Sequence, residues 1–500
     1  MKMNNIYLSI LVVLLASCTT DYLDEQDPNR VTTGNFWKTE ADLKAALATC
    51  YQPMNSTFGY YGSLGIHTHE VRTENYGWLV GPYDSYDVEI FQNTPNHSFE
   101  DGLWGSNYRG INYANQVIQY GGAMDIDENV KGKYVAEAQF LRGLYYFLLV
   151  IDYGSVPIHS KVTETKEEFT LPRSPIEEVW KQVTDDLTKA AAGLPVTRPS
   201  DNSQAGRATK GAALAYLGRA YLYQKNYAKA QEVLKSVVDN ESAYHYGLRP
   251  NFSELFDGQH ENETSGIIEG VFELQRKAVS GYGEWDIYTS LLGWVFGPTE
   301  VGAWEFGYPR KALLDSMLAE PAANGGFDPR ATTTLAWDYP ENVFFQKDFH
   351  TFFGPNKICN KKNQNWWNAS EGDGKSELDE YGVRYADVLL MLAEAYTMQS
   401  NVTAASPLVK RIRDRAKLAD KNFSGYTQDQ MMAEIRRQRN LEFAREGLRW
   451  YDLQRWGLFE TVIKNSTEPG KENYTSKFQY FPIPQSELNS NPNMTQNDAW

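Results

Sequence analysis

The chain has 500 residues, 42% of them hydrophobic and 22% charged, enough apolar content to bury a sizeable core and too much for wholesale disorder. A formal net charge of −16 repels phosphate backbones and argues against nucleic acid as a partner. Three cysteines cannot build a disulfide scaffold, while 13 Trp, 32 Tyr and 23 Phe make an aromatic content that needs a use.

Lys2 followed by the apolar run Ile6 to Ala16 reads as a secretory leader. It is too short to span the roughly 30 Å hydrocarbon core of a bilayer, which takes about 20 residues. Leu15-Ala16-Ser17-Cys18 resembles the lipobox of bacterial lipoproteins. That resemblance implies a signal peptide over residues 1–17, an acylated Cys18 as the first mature residue and a tether over residues 18–36. The alternative is a leader cut ahead of an ordinary cysteine. Two or more acyl chains anchor a protein stably without spanning the membrane.

Thr39 to Met54 reads as a helix capped by Thr39, with Leu43, Leu47 and Cys50 in phase. That phase favours a buried Cys50 thiol, with a bridge to Cys359 as the alternative. Residues 57–102 lose helical period and alternate Gly, Pro, Tyr and Asp. Helical pattern returns over Leu103 to Tyr120, Lys131 to Tyr153 with Gly154 as its stop, Pro175 to Gly193, Thr209 to Gln224 and Tyr227 to Asp239.

Two windows share the tetratricopeptide register. Leu214, Leu217, Gly218 and Tyr221 are followed by Ala230 and Leu234; Leu389, Leu392, Ala393 and Tyr396 are followed at the same offsets by Ala405 and Val409. Phe140 to Tyr145 is a degenerate third copy. The fold class expected is therefore mostly α, a scaffold of helix pairs over about 37–56, 103–240 and 376–460, within one unit from 37 to 500. Between the two best windows, residues 243–375 hold a large irregular insertion with short candidate strands such as Gly266 to Leu274, and Trp285, Trp294, Trp304, Trp337, Trp366 and Trp367.

A pyranose presents C–H groups on one face and hydroxyls at its rim, so a saccharide site pairs flat rings with polar side chains. Two regions have that mixture: Asn75, Tyr76, Trp78, Tyr83, Asp84, Tyr86 and Asp87, then Tyr282, Trp285, Asp286, Trp294, Trp304 and Glu305. The ligand-binding residues expected are Tyr76, Trp78, Tyr83, Asp84, Tyr282, Trp285 and Trp304. The competing reading is that such rings pin loops to the scaffold. His67-x-His69-Glu70 lacks a second cluster and points to no metal. Neither a G-x-S-x-G nor a phosphate-cradling glycine loop occurs, so no catalytic residue and no cofactor is expected. The basic stretches Lys410 to Arg413 and Arg436 to Arg439 have acids within helical reach and read as ion-paired faces.

Five pieces in order resemble the SusD family, also called RagB/SusD, of Bacteroidetes outer-membrane lipoproteins. They are the lipobox with Asp21-Tyr22-Leu23-Asp24; Leu103-Trp104 with Tyr108, Ile111, Asn112 and Asn115; Ala138 to Arg142 running through Tyr145-Tyr146-Phe147 to Tyr153-Gly154-Ser155-Val156-Pro157; Arg439 to Glu442 with Glu446 to Arg449, Asp452 and Arg455-Trp456-Gly457; and Phe481-Pro482-Ile483-Pro484 with Asn491-Pro492 and Gln496-Asn497. The resemblance implies a non-enzymatic, surface-exposed protein that captures oligosaccharide and sits as a lid on a SusC-like TonB-dependent transporter, its ligand surface an aromatic arc near Trp78, Tyr282 and Trp304. Asn112, Asn115, Arg142, Arg449 and Asp452 match the family motifs as scaffold residues. Peptide capture on the same scaffold is the alternative, and a surface glycan-degrading enzyme is a further one.

Overall fold

The computed structural model describes residues 36–56, 59–62, 65–79, 85–201, 204–277, 290–370 and 376–500. Its frame is helical: α1 (Glu40–Asn55), α2 (Ser98–Gln116), α3 (Glu128–Tyr153), α4 (Ile176–Gly193), α5 (Lys210–Tyr223), α6 (Tyr227–Asp239), α7 (Tyr385–Met398), α8 (Val402–Arg415), α9 (Gln428–Glu442) and α10 (Arg449–Trp456). None of the described helices is long and apolar enough to cross a membrane.

Local chemistry sets the ends. Thr39 accepts from the Asp42 N–H while the Asp42 carboxylate accepts from the Thr39 N–H, a reciprocal capping box. Thr209 caps α5 through the Ala212 N–H. α3 stops at Gly154, whose φ of +74° would strain any residue with a Cβ. α2 begins at Ser98 rather than Leu103, because His97 Nδ1 accepts from the Phe99 N–H and so caps a turn whose polar residues break the apolar period.

From α1 to α7 each helix packs on the next, and α7 also carries α8 and α9. α6 therefore meets α7 directly, although residues 240–384 separate them in sequence. The two windows in tetratricopeptide register are the pairs α5–α6 and α7–α8. A Cβ on Gly218 would stand 2.5 Å from Leu234 Cδ2, so the glycine sets how closely α5 and α6 approach. Ala230, Leu234, Ala393, Ala405 and Val409 are fully buried at the matching seams. The third copy is α3 on α4, where a Cβ on Gly143 would lie 3.2 Å from Leu187 Cγ.

Charged scaffold residues are paired inside. Arg142 binds Asp186 at 2.7 and 2.8 Å and donates to Asn115 at 2.8 Å. Arg439 joins Asp387 at 2.6 Å to Asp452 at 2.7 Å, and Arg449 donates to Glu74 at 2.9 Å. Arg413 reaches Glu434 at 2.8 Å inside and Lys410 reaches Asp414 at 3.0 Å at the surface, the ion-paired faces that the basic stretches suggest. At the centre Arg384 contacts Glu269, Glu442 and Glu446 at 2.8, 2.9 and 2.7 Å. Charges this deep persist only because each is matched.

Short strands organise the rest: β1 (Tyr76–Trp78), β2 (Gly270–Leu274), β3 (Gly307–Pro309), β4 (Leu335–Trp337), β5 (Ile358–Asn360) and β6 (Glu380–Arg384). β2 pairs with β6, β1 with β3 and β4 with β5, all antiparallel. The β2–β6 pair closes the neck of the insertion. The aperiodic stretch after α1 also contains two short helices, Gly65–Val71 and Ser85–Glu89, each shorter than the window in which a helical period can be read. Cys50 and Cys359 are both buried free thiols in separate apolar clusters, so the bridge between them is not formed.

Candidate functional site

The two aromatic regions of the sequence meet at β1–β3. Tyr76 faces Pro309, Gly77 faces Tyr308 and Trp78 faces Gly307, and the pairing continues as the Leu79 N–H donates to the Phe306 carbonyl at 2.7 Å. Trp304 and Phe306 flank Glu305 in the segment leading into β3. Their rings lie 5.2 Å apart; Trp294 stacks on Trp304 at 4.7 Å with 29° between planes, and Phe306 lies 5.7 Å from Trp78. The result is a ladder of rings, Trp294, Trp304, Phe306 and Trp78, running from partly exposed to buried.

Polar groups border its partly exposed end. The Trp304 N–H donates to the Trp294 carbonyl at 2.8 Å, tying the two indoles together through the backbone. Among the described residues the Trp294 indole N–H is buried without an acceptor, which is costly for a donor unless a ligand oxygen completes it. Glu305 is held at a φ of +52°, an uncommon left-handed conformation for a side-chain-bearing residue. Lys357 fixes both nearby carboxylates, at 2.9 Å from Glu305 and 2.6 Å from Glu300. Burial works to raise the Glu300 carboxyl, but the hydrogen bond from Lys357 leaves it lowered.

Of the residues expected to bind ligand, Trp304 stands in this ladder, half-buried. Tyr76 and Trp78 do not present a face to solvent: their exposures are 0% and 2%, because β1 is buried on both sides and Phe296 packs edge-on against each ring. They are the footing of the ladder, a correction to the expectation of ligand contact. Tyr83, Asp84, Tyr282 and Trp285, and Cys18 with the acylation expected there, lie outside the described residues. Phe306 was missed by sequence reasoning, and because Glu305 between it and Trp304 is left-handed, no strand period points to it. Asn75 is internal as well, donating to Asn440 Oδ1 at 2.9 Å.

What holds the ladder in place is ionic. Arg310, directly after β3, donates from Nε to the Tyr76 carbonyl at 2.9 Å, while its backbone N–H donates to the Asn75 carbonyl at 2.8 Å. Its guanidinium pairs with Glu89 and with Glu468. Glu89 in turn accepts from the Trp78 N–H at 2.8 Å. Burial raises the Glu89 carboxyl and pushes Lys471, which donates to the Glu89 carbonyl at 3.1 Å, down to about 7.

His69 belongs to the core. Its ring stacks 5.1 Å from Tyr60 and contacts the Tyr451 hydroxyl at 3.1 Å, and burial holds it well below the usual imidazole range, so it is neutral. Glu70 accepts from the Gly447 N–H at 2.7 Å, with its carboxyl raised to about 7 by burial. Gly65–Val71 is helical, so the strand on which alternate histidines would point the same way is not formed. Among the described residues no cluster of His, Cys, Asp and Glu could hold a metal ion.

Comparison with known proteins follows the same lines. Residues 346–500 match the family model described as SusD family, and residues 21–222 match one described as starch-binding associating with outer membrane. The SusD-like protein P2 of Formosa agariphila is 29% identical, the match covering 100% of this chain and 99% of that protein. The starch-binding protein SusD of Bacteroides thetaiotaomicron is 25% identical over 73% of this chain and 72% of its own. The crystal structure of a SusD superfamily protein from Bacteroides vulgatus superposes with a TM-score of 0.85 at 32% identity, covering 93% of this chain and 100% of that one.

Proposed function

Since the chain belongs to the SusD family, we propose that it captures oligosaccharide or polysaccharide at the cell surface and delivers it to a SusC-like TonB-dependent transporter. Lipid on Cys18 holds it to the outer membrane. The matched family model, described as associating with the outer membrane, and the starch-binding relative support this reading.

One observation carries it: β1–β3 brings two sequence-distant aromatic regions into a single ladder whose partly exposed end joins ring faces and edges to an unsatisfied indole N–H and fixed carboxylates. Rings take the C–H face of a sugar, and the N–H and carboxylates take its hydroxyls. Binding of this kind needs no covalent step, and the protein acts as a receptor. Trp emission titrated with a panel of plant, algal, fungal and host glycans tests it. One glycan is expected to shift the emission, with Trp304→Ala weakening that binding about tenfold or more, the loss of one well-packed aromatic anchor. Silence across the panel, or full affinity in Trp304→Ala, would refute the assignment.

A further inference from the structure

The ladder leaves Trp366 and Trp367 unused. They form one wall of a cleft of about 610 Å³ that no ladder residue lines. Its other sides come from the turn Phe252–Phe256, the short helix Pro329–Thr334, Tyr339 and the end of α8. The cleft falls within the size range of small-ligand sites, with room for a sugar residue. Trp367 is 36% exposed, and Trp366 meets it edge-on at 5.8 Å.

The charge of the cleft runs against that of the chain. On a protein of net charge −16, its lining carries Lys361, Arg415 and Lys417 against a single acid, Asp257, which is already engaged by His260 at 3.1 Å. Lys361 makes no ion pair with any described residue; its ammonium sits 4.1 Å from the centre of the Trp366 ring, and burial lowers it to about 8. Arg415 is buried, its two terminal nitrogens turned to Glu269 and Glu442, and among the described residues its Nε has no acceptor. A half-buried ammonium over an indole, with no carboxylate partner among the described residues, calls for an anion beside an aromatic plane.

We propose that this cleft is a second saccharide site, selective for a sugar residue that carries a carboxylate or sulfate group. It rests on the reading of the protein as a glycan receptor but not on the ladder being the place of binding. Trp367 takes the ring face, Lys361 takes the anionic substituent, and Lys417 at the rim adds attraction from solvent.

Titration calorimetry on the full mature chain tests it, with tetragalacturonate, a sulfated galactan tetrasaccharide and uncharged galactotetraose as probes. At least one anionic probe is expected to bind, with affinity reduced about tenfold or more by Lys361→Met and by Trp367→Ala, about threefold by the exposed Lys417→Ala, and unchanged by Trp304→Ala. Which anionic probe binds assigns the carboxylate or the sulfate. The proposal is overturned if neither anionic probe binds, if galactotetraose binds equally well, or if the cleft variants retain affinity. Loss in Trp304→Ala alone would place the anionic glycan on the ladder and overturn it too. Trp367→Ala and Lys417→Ala lie at the surface, so both test the cleft even where Lys361→Met fails to fold.

Discussion

Arg310→Met tests whether the aromatic ladder depends on its ionic clamp. The side chain is 2% exposed and its partner Glu89 4%, so removing the guanidinium leaves a carboxylate buried beneath β1 without its cation. Breaking a buried pair from one side costs about 3–5 kcal/mol, most of it the penalty on the charge left behind. The pair with Glu468 adds little, since that carboxylate is 32% exposed and screened by water. The hydrogen bond to the Tyr76 carbonyl, worth about 1 kcal/mol, is also lost. Urea unfolding followed by Trp emission is expected to show a loss of about 3–5 kcal/mol, and glycan affinity should fall although Arg310 is no part of the ligand surface. Arg310→Met combined with Glu89→Leu should recover part of the stability, because the Glu89 charge is no longer orphaned although buried Lys471 loses its acidic neighbour. A single-variant loss below about 1 kcal/mol, or a double variant worse than the sum of the two, would refute the reasoning.

Two further outcomes follow from packing and titration. Gly218→Leu forces a side chain into the 2.5 Å gap to Leu234 and should destabilise by about 1–3 kcal/mol despite the helix propensity gained, read as a lower urea midpoint; an unchanged midpoint would mean that α5 and α6 are not in contact there. Asp379 is raised to about 8 by burial and then by the like charge of Glu261, itself raised to about 7 by burial. Both fold with protons that the unfolded chain releases near pH 4, so their contribution is full below that and lost as pH rises to about 8. Glu261→Gln should therefore flatten the fall of stability between about pH 5 and pH 8, and an unaltered slope would reject the assignment.

The sequence displays the scaffold because helix pairs are local. Thr39, Gly154 and Thr209 announce their ends by capping chemistry, and Gly218 with Ala230 marks a seam that only small residues allow. The candidate site was legible in composition but not in geometry. β1 and β3 are three residues each and far apart in the chain, so no short-range pattern announces their pairing. Aromatic residues next to Asn and Asp describe a ligand surface and a buried footing equally well, and only the pairing shows that Tyr76 and Trp78 turn inward while Trp304 stays half-exposed. The partners of Arg310 come from either side of it in the chain, Glu89 and Glu468, and again only the fold unites them.

The direct seating of α6 on α7, with the antiparallel β2–β6 pair drawing the ends of the excursion together, makes the intervening stretch a cassette. Lengthening a flexible excursion costs only about 0.6 kcal/mol per doubling once its ends are fixed. A designer can thus vary the length of loops in the outer portion, provided that β3 and Arg310, whose contacts with β1 and Glu89 bind that portion to the frame, are kept.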